Sequence, residues 1–279
     1  MTWITIERVF LALLPDRQTL WLLGYAAVIA FFAWVESRKP AFAEPPVRAQ
    51  RWPANLGIGL MNLIIVILAP VSAVLAAQWA HGRGYGLLNV LEAPWWLAAV
   101  ATVLLRSFAG YLFHLLMHKV PLFWRVHRVH HSDTHLDVST ALRSHPLEFV
   151  GLILIVVPLA AASGMNPIVL AAYELAEAGL NVATHANLRL PERLDRTLRW
   201  VFVTPNMHSL HHSSDHRETD SNYGTVFSVW DRIFRTYSAA PRSGYDAMQI
   251  GLKEIRDRRV WDFVWLLKSP ALKKWRQRD

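Results

Sequence analysis

Eight histidines stand in three tight groups: His114 with His118, then His127 with His130 and His131, then His208 with His211 and His212. They read H-x-x-x-H, H-x-x-H-H and H-x-x-H-H. Spacings of three and four put side chains on one face of a helical turn, and neutral imidazole is the commonest metal ligand. Five of the chain's 13 histidines fall between residues 114 and 131. A core histidine bonded to a backbone carbonyl explains one such residue, not three boxes. The chain is therefore expected to bind metal, with sequence-distant boxes meeting at one site.

Composition supplies the setting. Hydrophobic residues make up 53% of the 279, with 13 Trp and a positive mean hydropathy of +0.21, which points to a membrane. With no cysteine, a disulfide framework, a thiolate zinc site, a C-x-x-C-H haem attachment and a cysteine-ligated iron–sulfur cluster are all excluded. The net charge of +8 lies beside apolar spans rather than on a polar domain. It reads as topology signals and contacts with anionic lipid, with no nucleic-acid partner.

Apolar spans are expected at Thr19–Val35, at Asn55–Ala80 with a kink at Pro70, from Trp95 into the first box, and at Leu147–Ser163 and Asn166–Ala183. The last two, joined at Gly164-Met165-Asn166-Pro167, are barely long enough to cross and read equally as a hairpin dipping into the bilayer. The start of the chain, with Glu7 and Arg8, lacks the design of a cleavable signal. Lys and Arg alternate between loops: Arg38, Lys39, Arg48 and Arg51 after the first span, only Arg83 after the second, then Lys119, Arg125, Arg128 and Arg143 after the third. By the positive-inside rule this places all three boxes on the cytoplasmic face, and His81 in a loop on the other side. Trp34, Trp52, Trp95 and Trp96 read as an aromatic belt. The basic, Trp-containing tail, about residues 246–279, reads as an amphipathic anchor on the inner leaflet.

Eight imidazoles exceed what one ion takes, since zinc holds four ligands and iron at most six. Two metals are expected. A hydrolytic zinc site needs fewer histidines, so an all-imidazole pair favours a redox-active metal, iron first, with zinc as a substitute. Such a pair activates O2 against an unactivated C–H bond, ending in hydroxylation or desaturation.

At these residues the chain resembles the sterol desaturase/fatty acid hydroxylase superfamily of integral-membrane histidine-box di-iron oxygenases. The likeness runs from about Ala98 to Tyr237. It rests on His127-Arg128-Val129-His130-His131 followed by Ser144-His145-Pro146-Leu147-Glu148, and on Asn206-Met207-His208-Ser209-Leu210-His211-His212 followed by Asp220-Ser221-Asn222-Tyr223-Gly224 and Trp230-Asp231-Arg232-Ile233-Phe234. The chain departs from the family pattern at Ser107, where an acidic residue is common, at Leu115, where a basic one is, and at Arg235, which replaces a usual glycine.

The resemblance implies an all-α membrane protein, a single domain over 1–279 with its histidine-box core at about 98–237. Four to five membrane-embedded helices would lie under a cytoplasmic helical cap that holds two metals. It also implies an additional ligand near the fifth span, where His185 stands, and a lipid substrate entering from the bilayer. Asn181, one turn earlier, is expected to hold a metal-bound water, and His145 to support the site or add a ligand. Asp133, Asp137, Glu148, Asp215, Glu218, Asp220 and Asp231 are candidates to orient imidazoles, as ligating histidines require. His135 and His216 are expected to be solvated or to gate the substrate. Glu174, Glu177 and Arg106 lie inside spans, where ionised groups are costly, and they invite pairing.

There is no Gly-rich dinucleotide fingerprint or appended haem module, so electrons are expected from a separate reductase with a ferredoxin or cytochrome. The activity expected is hydroxylation of a lipid, with desaturation or ether-lipid oxygenation as variants. The reading from another class is a non-redox membrane metal-handling protein. That reading wants ligands along a path across the bilayer, whereas the boxes gather at one interface.

Overall fold

The computed structural model describes residues 17–42, 48–273 and 275, with side chains from Leu22 onward. The opening stretch with Glu7 and Arg8 lies outside the described residues. The described chain is helical, with three isolated β-bridges and no extended strand. The principal helices are α1 (Arg17–Arg38), α2 (Arg48–Leu68), α3 (Ala73–Gly82), α4 (Trp95–Lys119), α5 (Pro121–His131), α6 (Pro146–Ser163), α7 (Pro167–His185) and α8 (Pro205–His211). An all-helical scaffold carrying a histidine cluster is thus what the chain forms.

Among the described residues three helical segments are long and apolar enough to cross a membrane: Arg48–Val90, Trp95–Lys119 and Pro146–Ser163. They leave Leu60, Ile67, Leu68, Leu104 and Leu154 exposed, as lipid-facing helices must. The expected kink at Pro70 is a full break between α2 and α3. A proline there removes an N–H and clashes with the preceding turn, and Ser72 then caps α3 by accepting from Leu75 N at 3.2 Å.

Local chemistry sets the helix ends that aim the boxes. Val120 closes α4 and opens α5, with Pro121 at the first helical position. The chain therefore folds back at once, and His114 and His118 face His127 and His131. Gly164, at φ +69°, closes α6, and Asn166 caps α7 by accepting from Ile168 N and Val169 N. Thr204 caps α8, with Pro205 following. In the interior α3 packs on α6 and α7, while α8 rests on α7.

The ionisable residues within the spans are resolved by pairing. Arg106 Nη2 donates to Glu177 Oε2 at 2.5 Å and its Nε lies 3.6 Å from Glu174. Thr225 Oγ1 donates to the other Glu177 oxygen at 2.8 Å.

The tail, expected as a basic amphipathic segment on the inner leaflet, is a run of short helical turns whose Val260, Leu266 and Trp275 bury against Ala54, Ile58 and Val129, while Val264 stays exposed. Arg143 and Arg128 hold it through the carbonyls of Val260, Ser269 and Leu272. Trp52, expected in the aromatic belt, is part-buried: its indole donates to Asp137 at 3.1 Å and it packs beside Val138 and Val182.

Candidate metal centre

The nine histidines expected to hold metal converge at one end of the bundle and divide into two groups. His114, His118, His127, His131 and His211 form one, and His130, His185, His208 and His212 the other, each with one ring nitrogen per histidine within 4.8 Å of the others. The division cuts through each H-H pair. Consecutive helical residues point about 100° apart, so His130 and His131 part company, as do His211 and His212. The rings of His131 and His212 stack at 4.5 Å, where the groups meet.

The nitrogens fit a metal. His114 Nε2 and His131 Nε2 each lie 3.1 Å from His127 Nε2, while His185 Nε2 lies 3.1 Å from His130 Nε2 and 2.9 Å from His208 Nε2. Metal–nitrogen bonds of about 2.1 Å at tetrahedral or octahedral angles put neighbouring ligands roughly 3.0–3.4 Å apart. His118 Nε2, His211 Nε2 and both nitrogens of His212 are buried with no protein partner, a costly state unless another group satisfies them. Burial, reinforced by neighbouring imidazoles, holds His130, His131, His208 and His212 far below the ordinary histidine pKa. Burial brings His211 down to about 3. All five are neutral at physiological pH, the form that ligates.

The groups that orient these rings are mostly backbone carbonyls. His114 Nδ1 donates to Tyr223 O at 2.9 Å, His211 Nδ1 to Ser221 O at 2.7 Å, and His185 Nδ1 to Asn181 O at 2.7 Å. Glu148, in the first turn of α6, is the carboxylate that does the same, accepting from His127 Nδ1 at 3.0 Å. Asp220 Oδ1 stands 3.5 Å from His118 Nδ1 and its other oxygen takes Lys119 at 2.9 Å.

The D-S-N-Y-G and W-D-R runs now have a physical role. Asp231 accepts from Tyr223 N, Gly224 N and Thr236 Oγ1, pinning the loop whose carbonyls aim His114 and His211. A Cβ at Gly224 would stand 2.5 Å from Phe227 O, so only glycine fits. Arg235 takes the place of a usual glycine at φ +59°, a left-handed conformation that costs a side-chain-bearing residue roughly 1–2 kcal/mol. Ser107, in place of an acidic residue, accepts from Trp230 Nε1 at 3.1 Å.

The other candidates meet backbone or side chains outside the two groups. His145 spends both nitrogens on backbone, accepting from Leu147 N and donating to Leu267 O as the cap of α6, which leaves none for a metal. The Asn181 amide nitrogen donates to Ala141 O at 3.2 Å, and its backbone carbonyl accepts from His185. Asp133 touches no imidazole. It takes Arg51 Nε at 2.7 Å and Nη2 at 2.9 Å, with Asn55 and Thr140 completing its shell. Burial raises the Asp133 pKa, but Arg51 and Arg143 overcome it and hold the carboxyl well below its usual range. Asp137 likewise pairs with Arg51, at 2.9 Å. Asp215 caps a short helix through Arg217 N, and Glu218 accepts from Ser213. His216 is exposed beside Glu254, in keeping with a solvated residue, and His81, expected in a loop, is exposed in the last turn of α3 near Asn89.

Arg51 and Arg143 went unnoticed as site-building residues. A cluster of buried arginine, asparagine and aspartate behind the second box has no fixed spacing to betray it.

Comparison with known proteins agrees with this geometry. A family model described as fatty acid hydroxylase matches residues 99–236. An alkylglycerol monooxygenase from Homo sapiens is 31% identical over 56% of this chain and 34% of its own length. The ornithine lipid hydroxylase OlsE of Rhizobium tropici is 30% identical over 51% of this chain and 42% of its own length. A cholesterol 25-hydroxylase-like protein from Danio rerio is 30% identical over 65% of this chain and 70% of its own length. The chain therefore spans about a third of the human alkylglycerol monooxygenase it matches. No solved structure matches it.

Proposed function

Because this chain belongs to the fatty acid hydroxylase family, within the sterol desaturase/fatty acid hydroxylase superfamily, we propose that it is a di-iron oxygenase that hydroxylates an unactivated C–H bond of a membrane lipid. Its relatives are lipid hydroxylases and monooxygenases, so oxidoreductase chemistry is the common ground. The iron pair, the substrate's C–H bond and the cytoplasmic placement are this proposal's own. The single observation that carries it is the convergence of nine buried imidazoles into a group of five and a group of four.

Iron held there would supply O2 activation and one-electron chemistry at carbon. In the overall reaction one oxygen atom enters the lipid and the other leaves as water, with two electrons and two protons consumed. The electrons come from a separate protein donor. The chain's own residues do the preparatory work. Burial keeps His130, His131, His208, His211 and His212 neutral. Tyr223 O, Ser221 O, Asn181 O and Glu148 each hold one Nδ1–H, so the opposite Nε2 is free and aimed inward. The exposed apolar faces of α2, α4 and α6 would put the centre beside lipid chains. Gathering every ligand at one end of the bundle favours this reading over passage of metal across the bilayer.

The test begins with metal content after anaerobic loading with ferrous iron. Two irons per chain are expected, falling towards one in His208→Ala, which takes one ligand from the group of four. Lipid extracts are then incubated with O2 and a reductase–ferredoxin or reductase–cytochrome pair, and mass spectrometry looks for a gain of one oxygen from labelled O2. Two-iron protein is expected to give that product only with the donor present. Zinc alone, with no iron uptake, would refute the proposal.

A further inference from the structure

A cavity of about 180 Å³ lies outside the histidine centre, walled by Arg48, Arg51, His135, Asn187, Gln249 and Arg256 among others. None of the nine histidines lines it. Its walls nonetheless continue the segments that carry them. His135 follows the second box, Asn187 lies two residues past His185, and Gly251 N, beside Ile250 of the wall, donates to His212 O at 3.1 Å. The volume far exceeds the roughly 10–15 Å³ one water needs. It falls short of the 300–1,000 Å³ of pockets that enclose a drug-sized molecule. It suits a small polar group and not an acyl chain.

The charges at the wall are unequal. Arg51 gives its donors to Asp133, Asp137 and the carbonyl of His135, so its charge is matched. Arg48 pairs with Glu36 at 3.0 Å. Arg256 differs. Its Nη1 donates to Ile250 O at 2.8 Å, and it has no carboxylate partner among the described residues. Burial pushes its guanidinium below the ordinary arginine range with no opposing carboxylate, as for a half-buried cation with no counter-charge. The remaining titratable wall residues are His135, whose Nδ1 meets Thr134 Oγ1, and Asp137, already held by Arg51 and Trp52. The cavity thus holds one guanidinium with no carboxylate bonded to it, a planar donor fork that matches oxyanion geometry.

We propose that this cavity binds a phosphate-class oxyanion, with Arg256 as its principal cation and Gln249 beside it. The anion is either the headgroup of a membrane lipid or free phosphate; the chemistry of the site is the same for both. Binding here needs no metal and no turnover, so the proposal stands or falls apart from the oxygenase reading.

The experiment uses the full chain in a neutral detergent. Inorganic phosphate, phosphatidic acid and diacylglycerol of matched chains are titrated separately, read by native mass spectrometry and thermal shift. Wild type is compared with Arg256→Gln and with Arg196→Gln, a charge-matched change at an exposed residue. Arg256→Gln is expected to weaken the phosphate-class probe at least tenfold, and Arg196→Gln to leave it unchanged. Preference for phosphatidic acid over inorganic phosphate assigns a lipid source, and comparable binding of the two assigns the free anion. Iron content equal to wild type shows that Arg256→Gln is folded. Hydrogen exchange on wild type supplies a check independent of any variant: the probe should slow exchange over residues 249–256. Absence of binding to wild type, equal binding by Arg256→Gln, or diacylglycerol binding as tightly as phosphatidic acid would overturn the proposal.

Discussion

Arg51→Met removes the cation that joins α2 to the chain behind the second histidine box. Arg51 is 2% exposed and Asp133 is wholly buried. The guanidinium makes two bonds to Asp133, at 2.7 and 2.9 Å, and one to Asp137 at 2.9 Å. Replacing a buried pair by a good apolar pair is often neutral, but removing one partner strands the other charge at about 3–5 kcal/mol. Two carboxylates are stranded here. Asp133 keeps Asn55 and Thr140 as donors, with the positive charge of Arg143 nearby, so we expect the lower half of that range, about 3–4 kcal/mol. The assay is equilibrium denaturant unfolding in mild detergent of wild type, Arg51→Met, Asp133→Asn and the double variant. The double variant should be less destabilised than the sum of the singles by about 1–3 kcal/mol.

The sign with pH is also set. Arg51 depresses the Asp133 pKa in the folded state, giving stability that is present above the unfolded pKa of about 3.9 and lost as pH falls through the folded value. Without Arg51 the carboxyl takes up a proton more readily, so the variant's deficit should shrink between about pH 7.5 and pH 5. A deficit under about 1 kcal/mol at pH 7.5, or singles that add within about 0.5 kcal/mol, would refute the reasoning.

Two further outcomes follow from the site. Glu148→Leu leaves His127 Nδ1 without its acceptor at 3.0 Å, and iron affinity should fall about 10–100-fold, with Glu148→Gln milder; a metal titration showing no change would remove Glu148 from its orienting role. Metal-free protein should lose stability steeply as pH falls below about 6.5, because unfolded histidines take up protons there while His130, His131, His208 and His212 stay neutral and His211 does so down to about 3. Each contributes up to about 1.4 kcal/mol per pH unit, and flat melting temperatures between about pH 7.5 and 5.5 would contradict this.

Much of the candidate site was legible in the primary structure, because ligand chemistry restricts residue type and helical geometry restricts spacing. Three boxes pointed to a metal centre, their number to two ions rather than one, and apolar length to the membrane. His185 came from family resemblance alone, since one histidine at the end of α7 carries no spacing of its own. The burial of Val260, Leu266 and Trp275 against Ala54, Ile58 and Val129 was not legible, because a basic amphipathic pattern looks the same whether its apolar face meets lipid or protein.

What only tertiary structure decided was which imidazoles work together and what aims them. Neighbours such as His130 and His131 are indistinguishable in one dimension, yet a rotation of about 100° per residue sends them to different groups. Backbone carbonyls at Tyr223, Ser221 and Asn181 hold the rings in place. Every residue has a carbonyl, so no choice of side chain marks these three. Residue chemistry determined that the chain would gather imidazoles able to hold metal, and the path of the backbone determined the two groups between which they divide.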